Sequence, residues 1–392
     1  MITELKLHNW KSFSDATLYI DPLTFVIGLN ASGKSNIFDA LGFLRKIAEN
    51  TPVNDAIASV RGGEEWILKK GTRQFSLSVT IEEQEQVLLY SITFEKNVKA
   101  FRIAEERLTR KGKDVEKVLF ATLPDEKQRA ESGTITTNFM ASRGEKSMEL
   151  SRNVAAIAQV EIISVLKEIK EASACVVKHL KQIFVFNPVP SAMRGYSSVS
   201  DELHPDAGNV AGVLANLDEK QKGEVEELLT KYIKPLPERD LNRIWAEKVG
   251  RFGSDAMLYC EENWTGDPIQ LDAKGMSDGT LRFTAIVMAL LTVAPHSLLV
   301  IEEIDNGLHP SRAQELVKVL RELGNKRSID VLCSTHNPEL VDSLGNSMLP
   351  FISYVKRDSL GASNIFLLED KDNLPKLLAG NSLGDMMKND LL

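Results

Sequence analysis

GLNASGKS, residues 28–35, is the stretch from which the rest of the chain can be read. It fits the pattern G-x-x-x-x-G-K-[ST]; at average residue usage, a chance match somewhere in a chain of this length has a probability of roughly 1–2%. The apolar run LTFVIG leads in, and Ile37, Leu41, Leu44 and Ala48 lead out at helical spacing. That is the strand–loop–helix setting the pattern requires. Small residues let the backbone N–H groups of Asn30, Ala31, Ser32 and Gly33 curl around phosphate oxygens, and the helix N-terminus adds partial positive charge. Lys34 is expected to reach the β- and γ-phosphates and Ser35 to ligate Mg²⁺, with Asn36 counted among the nucleotide contacts. The sequence holds no N-K-x-D guanine reader, which favours ATP.

A second stretch, LLVIEEID at 298–305, ends an apolar strand on two adjacent carboxylates. A strand ending in acid, at the carboxyl edge of a sheet beside a phosphate loop, is the expected Mg²⁺ position. Successive strand residues point in opposite directions, so the pair divides its work: Glu302 for the Mg²⁺ shell, through water, and Glu303 for the attacking water. Around it the periodicity predicts a helix over 281–293, a strand over 298–301, a helix over 311–323 and a strand over 330–334. That alternation argues for a parallel sheet flanked by helices.

The remaining chain is less specific. Residues 74–123 alternate as strands, with Lys96, Lys99, Arg102, Arg107, Arg110, Lys111 and Lys113 on them; solvated strand faces are the favoured reading and a nucleic-acid contact the minor one. Residues 125–150 are polar and read as a mobile loop. Helical patterns cover 151–183 and 209–232, joined by the Pro-rich connector FVFNPVPSAMRGYSS. With 47 basic against 55 acidic side chains the net charge is −8, so the chain is not a bulk polyanion binder. Cys175, Cys260 and Cys333 form no CxxC pair, which suggests neither a zinc hook nor a disulfide framework. No signal-peptide core opens the chain, and Pro295, His296 and Ser297 interrupt its most apolar window. A soluble protein of the reducing cytoplasm, with no membrane partner, is expected.

The motif order carries a family resemblance. After the 28–35 loop come MSDGTLR at 276–282, LLVIEEIDNGLHP at 298–310 and LCSTHNPELV at 332–341. The chain resembles the ABC-type ATPases of the SMC/RecF superfamily, and more narrowly the compact AAA-type ATPases related to the overcoming-lysogenization-defect ATPases. HNWKSF near the start, FNPVPSAMRGYS at 186–197 and SLGDMMKNDL at the end are also similar to that group. The resemblance implies that Ser277, Gly279 and Thr280 form a signature loop touching the γ-phosphate of ATP on another protomer. It makes Asn306, Gly307 and Leu308 a loop crossing that interface and His336 a switch histidine beside the γ-phosphate. It also likens Lys11 to a basic residue near the nucleotide and offers Gln74 as the Q-loop. Glu302-Glu303 replaces the general Asp-Glu, a form usual in the narrower group, and SDGT replaces SGGQ. Residues 337–392 are too few for the TOPRIM nuclease domain that the overcoming-lysogenization-defect nucleases carry, so an ATPase without its own nuclease is expected.

These readings converge on an α/β protein, a P-loop NTPase of the ABC-ATPase head type. It should have a mixed central sheet, an antiparallel β-subdomain and a helical insertion. The expected divisions are 1–145 (loop and β-subdomain), 146–270 (mainly helical insertion) and 271–392 (signature, acidic strand, switch histidine). The expected function is ATP hydrolysis coupled to pairing of heads, in a homodimer or higher homo-oligomer, that regulates a separate nuclease or toxin effector in antiphage defence. The catalytic residues would be Glu303, His336 and Lys34, and the cofactors ATP and Mg²⁺. Nucleic acid stays open as a partner. Two alternatives are a RecF-like repair ATPase that clamps DNA and an ATP-dependent interaction module without turnover.

Overall fold

A computed structural model describes residues 1–98, 100–112, 115–123, 133–234, 241–263, 267–389 and 391–392. Two compact units share the chain. The first is Met1–Asp21, Val26–Ile183 and Phe351–Lys371; the second is Pro22–Phe25, Phe184–Pro350 and Asp372–Leu392. Both mix helix and strand, as the α/β reading requires.

The first unit is built on an eight-stranded antiparallel sheet. Its order is Asp15–Tyr19, Ile2–His8, Gln74–Glu83, Gln86–Lys96, Phe101–Lys111, Glu116–Thr122, Thr134–Met140 and Glu145–Ser151. Strict alternation makes the sheet one-sided: Phe75, Leu77, Val79 and Ile81 are buried along one strand while their neighbours face out. The apolar face receives the helix Lys34–Ala48. Phe43 of that helix sits 5.2 Å from Phe94 and 5.8 Å from Phe75, centroid to centroid. A buried aromatic of this kind is worth about 3–5 kcal/mol against alanine, so this packing anchors the helix behind the phosphate loop. The helix Lys167–Lys181 packs on it in turn, through a stripe containing Ile169, Ala172, Val176 and Leu180.

The mobile-loop reading of 125–150 is corrected in part. Thr134–Met140 and Glu145–Ser151 pair as a hairpin at the sheet's edge, in register from Thr134↔Ser151 to Met140↔Glu145. Polar residues are tolerated there because one face and one edge meet water. Residues 124–132 lie outside the described residues.

In the second unit, Leu298–Ile301 and Asp330–Thr335 pair in parallel, Leu298 opposite Asp330. Every residue of both strands is buried, the pattern of a parallel sheet covered on both faces. The helices Asp278–Thr292 and Pro310–Arg327 belong to the same unit. The insertion is less helical than the sequence suggests. Besides Val210–Asn216 and Glu219–Ile233 it holds an antiparallel sheet of Ser197–Ser198, Asp255–Asn263, Leu241–Val249 and Pro268–Asp272. Among the described residues, no helix is long and apolar enough to cross a membrane.

Candidate nucleotide and acidic sites

In the first unit the strand that ends at Ile27 turns sharply into the loop. Gly28 has φ 148°, and a Cβ there would lie 2.4 Å from the carbonyl oxygen of Val355. Gly33, at φ 118°, caps the helix in the left-handed region, and its Cβ would meet Ser363 Oγ at 2.4 Å. Only glycine fits either place. Between them Asn30 and Ala31 form an exposed crest, with Ala31 at φ 62°. Left-handed backbone at a non-glycine residue is the kind of strain that collects at ligand sites. Ser363 Oγ donates to the Ser32 carbonyl (2.6 Å) and lies 2.8 Å from Ser12 Oγ.

Lys34 is 7% exposed, and its ammonium donates to the carbonyls of Gly28 (2.8 Å) and Leu29 (2.9 Å). The cation is thus folded over its own loop, with the loop's oxygens in the place phosphate oxygens would take. Ser32 Oγ is buried in the same loop without a hydrogen-bond partner, a polar atom that a ligand would satisfy. These features fit a phosphate group, with Ser35 at the start of the helix beside it. Asn36 is held in place: its side-chain amide donates to Ser12 Oγ (2.8 Å) and its carbonyl accepts from Trp10 Nε1 (2.7 Å). It braces the loop. Lys11 pairs with Asp39 at 2.5 Å. Arg61 pairs with the same carboxylate at 2.8 Å and donates to the Ser35 carbonyl.

In the second unit the acidic strand does not simply continue through its glutamates. The strand stops at Ile301, and Glu303 adopts φ 48°. The two carboxylates are separated by a left-handed kink where the sequence reading had strand alternation. The kink is held from both sides. The Glu303 N–H donates to Ser334 Oγ (3.0 Å) and the Ile304 N–H to the Ser334 carbonyl. Arg282, 3% exposed, donates to the carbonyls of Glu302 (2.9 Å), Glu303 (2.8 Å) and Pro188 (2.8 Å). Burial pulls the Arg282 pKa down, and the charges of Asp305 and Glu303 oppose that. His336 Nδ1 lies 3.6 Å from Glu303 Oε1, both half-exposed. Asp305 is buried and accepts from Thr335 Oγ1 at 2.6 Å, which fixes the turn before His336.

The signature residues open the helix Asp278–Thr292. Ser277 is its N-cap, accepting from the Thr280 N–H at 3.1 Å, a cap worth about 1 kcal/mol. Arg312 donates to Thr280 Oγ1 (3.2 Å). A Cβ at Gly279 would come within 3.0 Å of the Gly307 carbonyl. The signature loop and the 306–308 loop therefore touch within one chain, and Ser277 and Asn306 are left exposed.

Three arginines that sequence reasoning passed over support this ground. Arg194 donates to the carbonyls of Ala273, Lys274 and Met276 and pairs with Asp278 at 2.5 Å. It ties the connector to the signature loop, as Arg282 ties the acid pair and Arg312 ties Thr280. The signal was present: an arginine inside the apolar run LRFTAIVMALL has no reason to be there unless it is hydrogen-bonded. Gln74 is exposed at the first position of its strand, opposite Glu95. In the basic stretch, Lys96 pairs with Glu64, Arg102 with Glu95, and Arg110 with Glu168. Those charges are matched locally; Lys99 and Lys113 lie outside the described residues.

The phosphate-type loop thus lies in the first unit and the kinked, arginine-braced acidic turn in the second. The chain belongs to the family described as "AAA domain, putative AbiEii toxin, Type IV TA system", which matches residues 23–342. It is 38% identical over 65 residues to the DNA replication and repair protein RecF of Corynebacterium jeikeium (strain K411), a match spanning 16% of this chain and 15% of that protein. Among solved structures, it is similar to an Smc head bound to the C-winged helix domain of ScpA, at 14% identity and TM-score 0.49, covering 93% of this chain and 97% of that one. It is also similar to the SMC head domain from Thermotoga maritima, at 13% identity and TM-score 0.44, covering 93% and 98%.

Proposed function

We propose that the chain is an ATPase of the ABC-type SMC/RecF class, in which ATP binding pairs two heads and hydrolysis releases them. The observation that carries this reading is the 28–35 loop, with Lys34 turned onto its own carbonyls and Ser32 Oγ buried without a partner. On nucleotide entry, Lys34 exchanges the Gly28 and Leu29 oxygens for phosphate oxygens. Ser35 and Glu302 are the residues assigned to Mg²⁺, which would supply charge neutralisation on the phosphates. Glu303 orients the attacking water as general base, a role worth roughly 10²–10⁴-fold, and His336 is positioned beside it to read the γ-phosphate. Ser277 and Asn306, both exposed, face the second head of a homodimer or higher homo-oligomer, with Gly279 and Thr280 buried behind Ser277. The paired state then offers a docking surface to a separate nuclease or toxin effector in antiphage defence, in the cytoplasm. Lys34→Ala should abolish ATP binding measured with a fluorescent ATP analogue. Undiminished affinity would remove the basis of the proposal.

A RecF-like DNA clamp is the second reading, favoured by the 65-residue match. The local pairing of Lys96, Arg102 and Arg110 counts against a basic groove at that sheet. Reversing Arg107, Arg110 and Lys111 to Glu should leave any DNA affinity within about twofold; a loss that also flattened its salt dependence would favour the clamp.

A further inference from the structure

Away from the nucleotide loop, the first unit brings together three side chains that no motif connects. Glu83, Cys175 and His179 offer a carboxylate oxygen, a thiol sulfur and an imidazole nitrogen, all within 4.8 Å of one another. Among the described residues they form the one such grouping of metal-binding side chains. Cys175 and His179 are four residues apart on the helix Lys167–Lys181, so they share a face. Glu83 ends the strand Gln74–Glu83 and faces Gln86 across the hairpin turn. Cys175 Sγ donates to Glu83 Oε2 at 2.9 Å, and His179 Nε2 lies 3.6 Å from Glu83 Oε1.

We propose that Glu83, Cys175 and His179 form a transition-metal site that takes Zn²⁺ and clips the second half of this helix to the hairpin. The donor set of thiolate, imidazole and carboxylate is that of zinc, whereas Mg²⁺ and Ca²⁺ select oxygen ligands. Tetrahedral zinc, with bonds of about 2.0–2.3 Å, holds its donors roughly 3.3–3.6 Å apart. Cys175 reaches Glu83 Oε2 at 2.9 Å and His179 reaches Glu83 Oε1 at 3.6 Å, with the three donors within 4.8 Å of one another, so side-chain rotation has to draw them onto one ion. Three protein ligands leave a fourth position for water, and Glu83, 36% exposed, gives it access. Lys178 now pairs with Glu83 Oε1 at 2.9 Å, but at 49% exposure it can swing into solvent. On binding, the Cys175 S–H bond breaks, its proton passes to solvent and the sulfur ligates the metal; nothing is oxidised or reduced. Without metal, burial and then the Glu83 hydrogen bond push the Cys175 thiol up to about 12, which makes it a poor nucleophile or redox sensor.

The test uses the full chain, stripped with chelator and free of nucleotide, titrated with Zn²⁺ in competition with a chromophoric chelator and with Co²⁺ as spectroscopic probe. Wild type should take one ion of the site's affinity and show thiolate-to-cobalt absorption. Cys175→Ser should abolish the band. His179→Gln and Glu83→Gln should each lower Zn²⁺ affinity by more than about 100-fold, beyond the 10–100-fold typical of a merely supporting partner. His179→Cys, which keeps a ligand, should retain the metal with stronger thiolate absorption, and this decides the matter if Cys175→Ser does not fold. Absence of a thiolate band in wild type, or wild-type Zn²⁺ affinity in His179→Gln, would overturn the site.

Discussion

Two histidine–glutamate pairs have the same separation and different surroundings. His336 lies 3.6 Å from Glu303 in the second unit, and His179 lies 3.6 Å from Glu83 in the first. At Glu303 both side chains are half-exposed, at 39% and 41%, and the backbone beneath is kinked and pinned by Arg282. At Glu83 the imidazole is 3% exposed, and a thiol and an ammonium share the carboxylate. Distance alone therefore assigns no role. A carboxylate open to solvent on a rigid turn suits the positioning of a water. A carboxylate already gathered with sulfur and nitrogen suits the holding of an ion.

The contrast is broken most severely by exchanging each carboxylate for its amide. Glu303→Gln should lower ATP turnover by about 10²–10⁴-fold, the range for a lost general base, with ATP affinity retained. Glu83→Gln should change turnover by less than about twofold. If wild type already hydrolyses ATP no faster than Glu303→Gln, the chain is a nucleotide-dependent interaction module and its acidic pair is not catalytic. Steady-state phosphate release beside equilibrium ATP binding separates the two cases.

A smaller effect probes what holds the second unit's loops. Ser277→Arg should leave ATP binding intact and block both head pairing and hydrolysis, because the added side chain projects from an exposed capping position. Arg194→Ala removes the bonds that fix the same loop, at about 1.5–3 kcal/mol for a charged hydrogen bond. It should slow hydrolysis roughly tenfold while ATP affinity stays within about twofold. If light scattering finds Ser277→Arg pairing normally with ATP, the signature loop does not form the pairing surface.

Much of this was legible in the sequence because it rests on short-range rules. The 28–35 loop, the buried strands Leu298–Ile301 and Asp330–Thr335 and the intervening helix follow from residue type and spacing. What escaped depends on partners far along the chain. Glu83 and Cys175 are 92 positions apart, and Arg282 reaches a carbonyl 94 positions away. The strand Thr134–Met140 was missed because its outward faces are polar. The sheet of 241–272 was missed because Asn242, Arg243, Glu247 and Lys248 dilute its apolar alternation. The left-handed Glu303 could not be read at all, since glutamate carries no preference for that region.

The smallest effect concerns the ion-holding pair without its ion. Hydrogen bonds from Cys175 and then Lys178, opposed by burial, hold the Glu83 carboxyl down at about 2, below its ordinary 4.5. A depressed carboxyl contributes stability above its unfolded value and loses it as pH falls from 4.5 through about 2. Glu83 is 36% exposed, so solvent screening keeps the contribution to about 1 kcal/mol or less. Glu106 acts with opposite sign in the adjoining window. Burial raises it to about 7, so it costs stability as pH rises from 4.5 to about 7. The informative quantity is the difference between wild type and Glu83→Gln in urea unfolding, taken at each pH in chelator. It should shrink as pH falls below 4.5. A difference that persists unchanged to the acid limit would mean that the thiol and the lysine do not hold that carboxylate, and the proposed metal site would lose its preformed geometry.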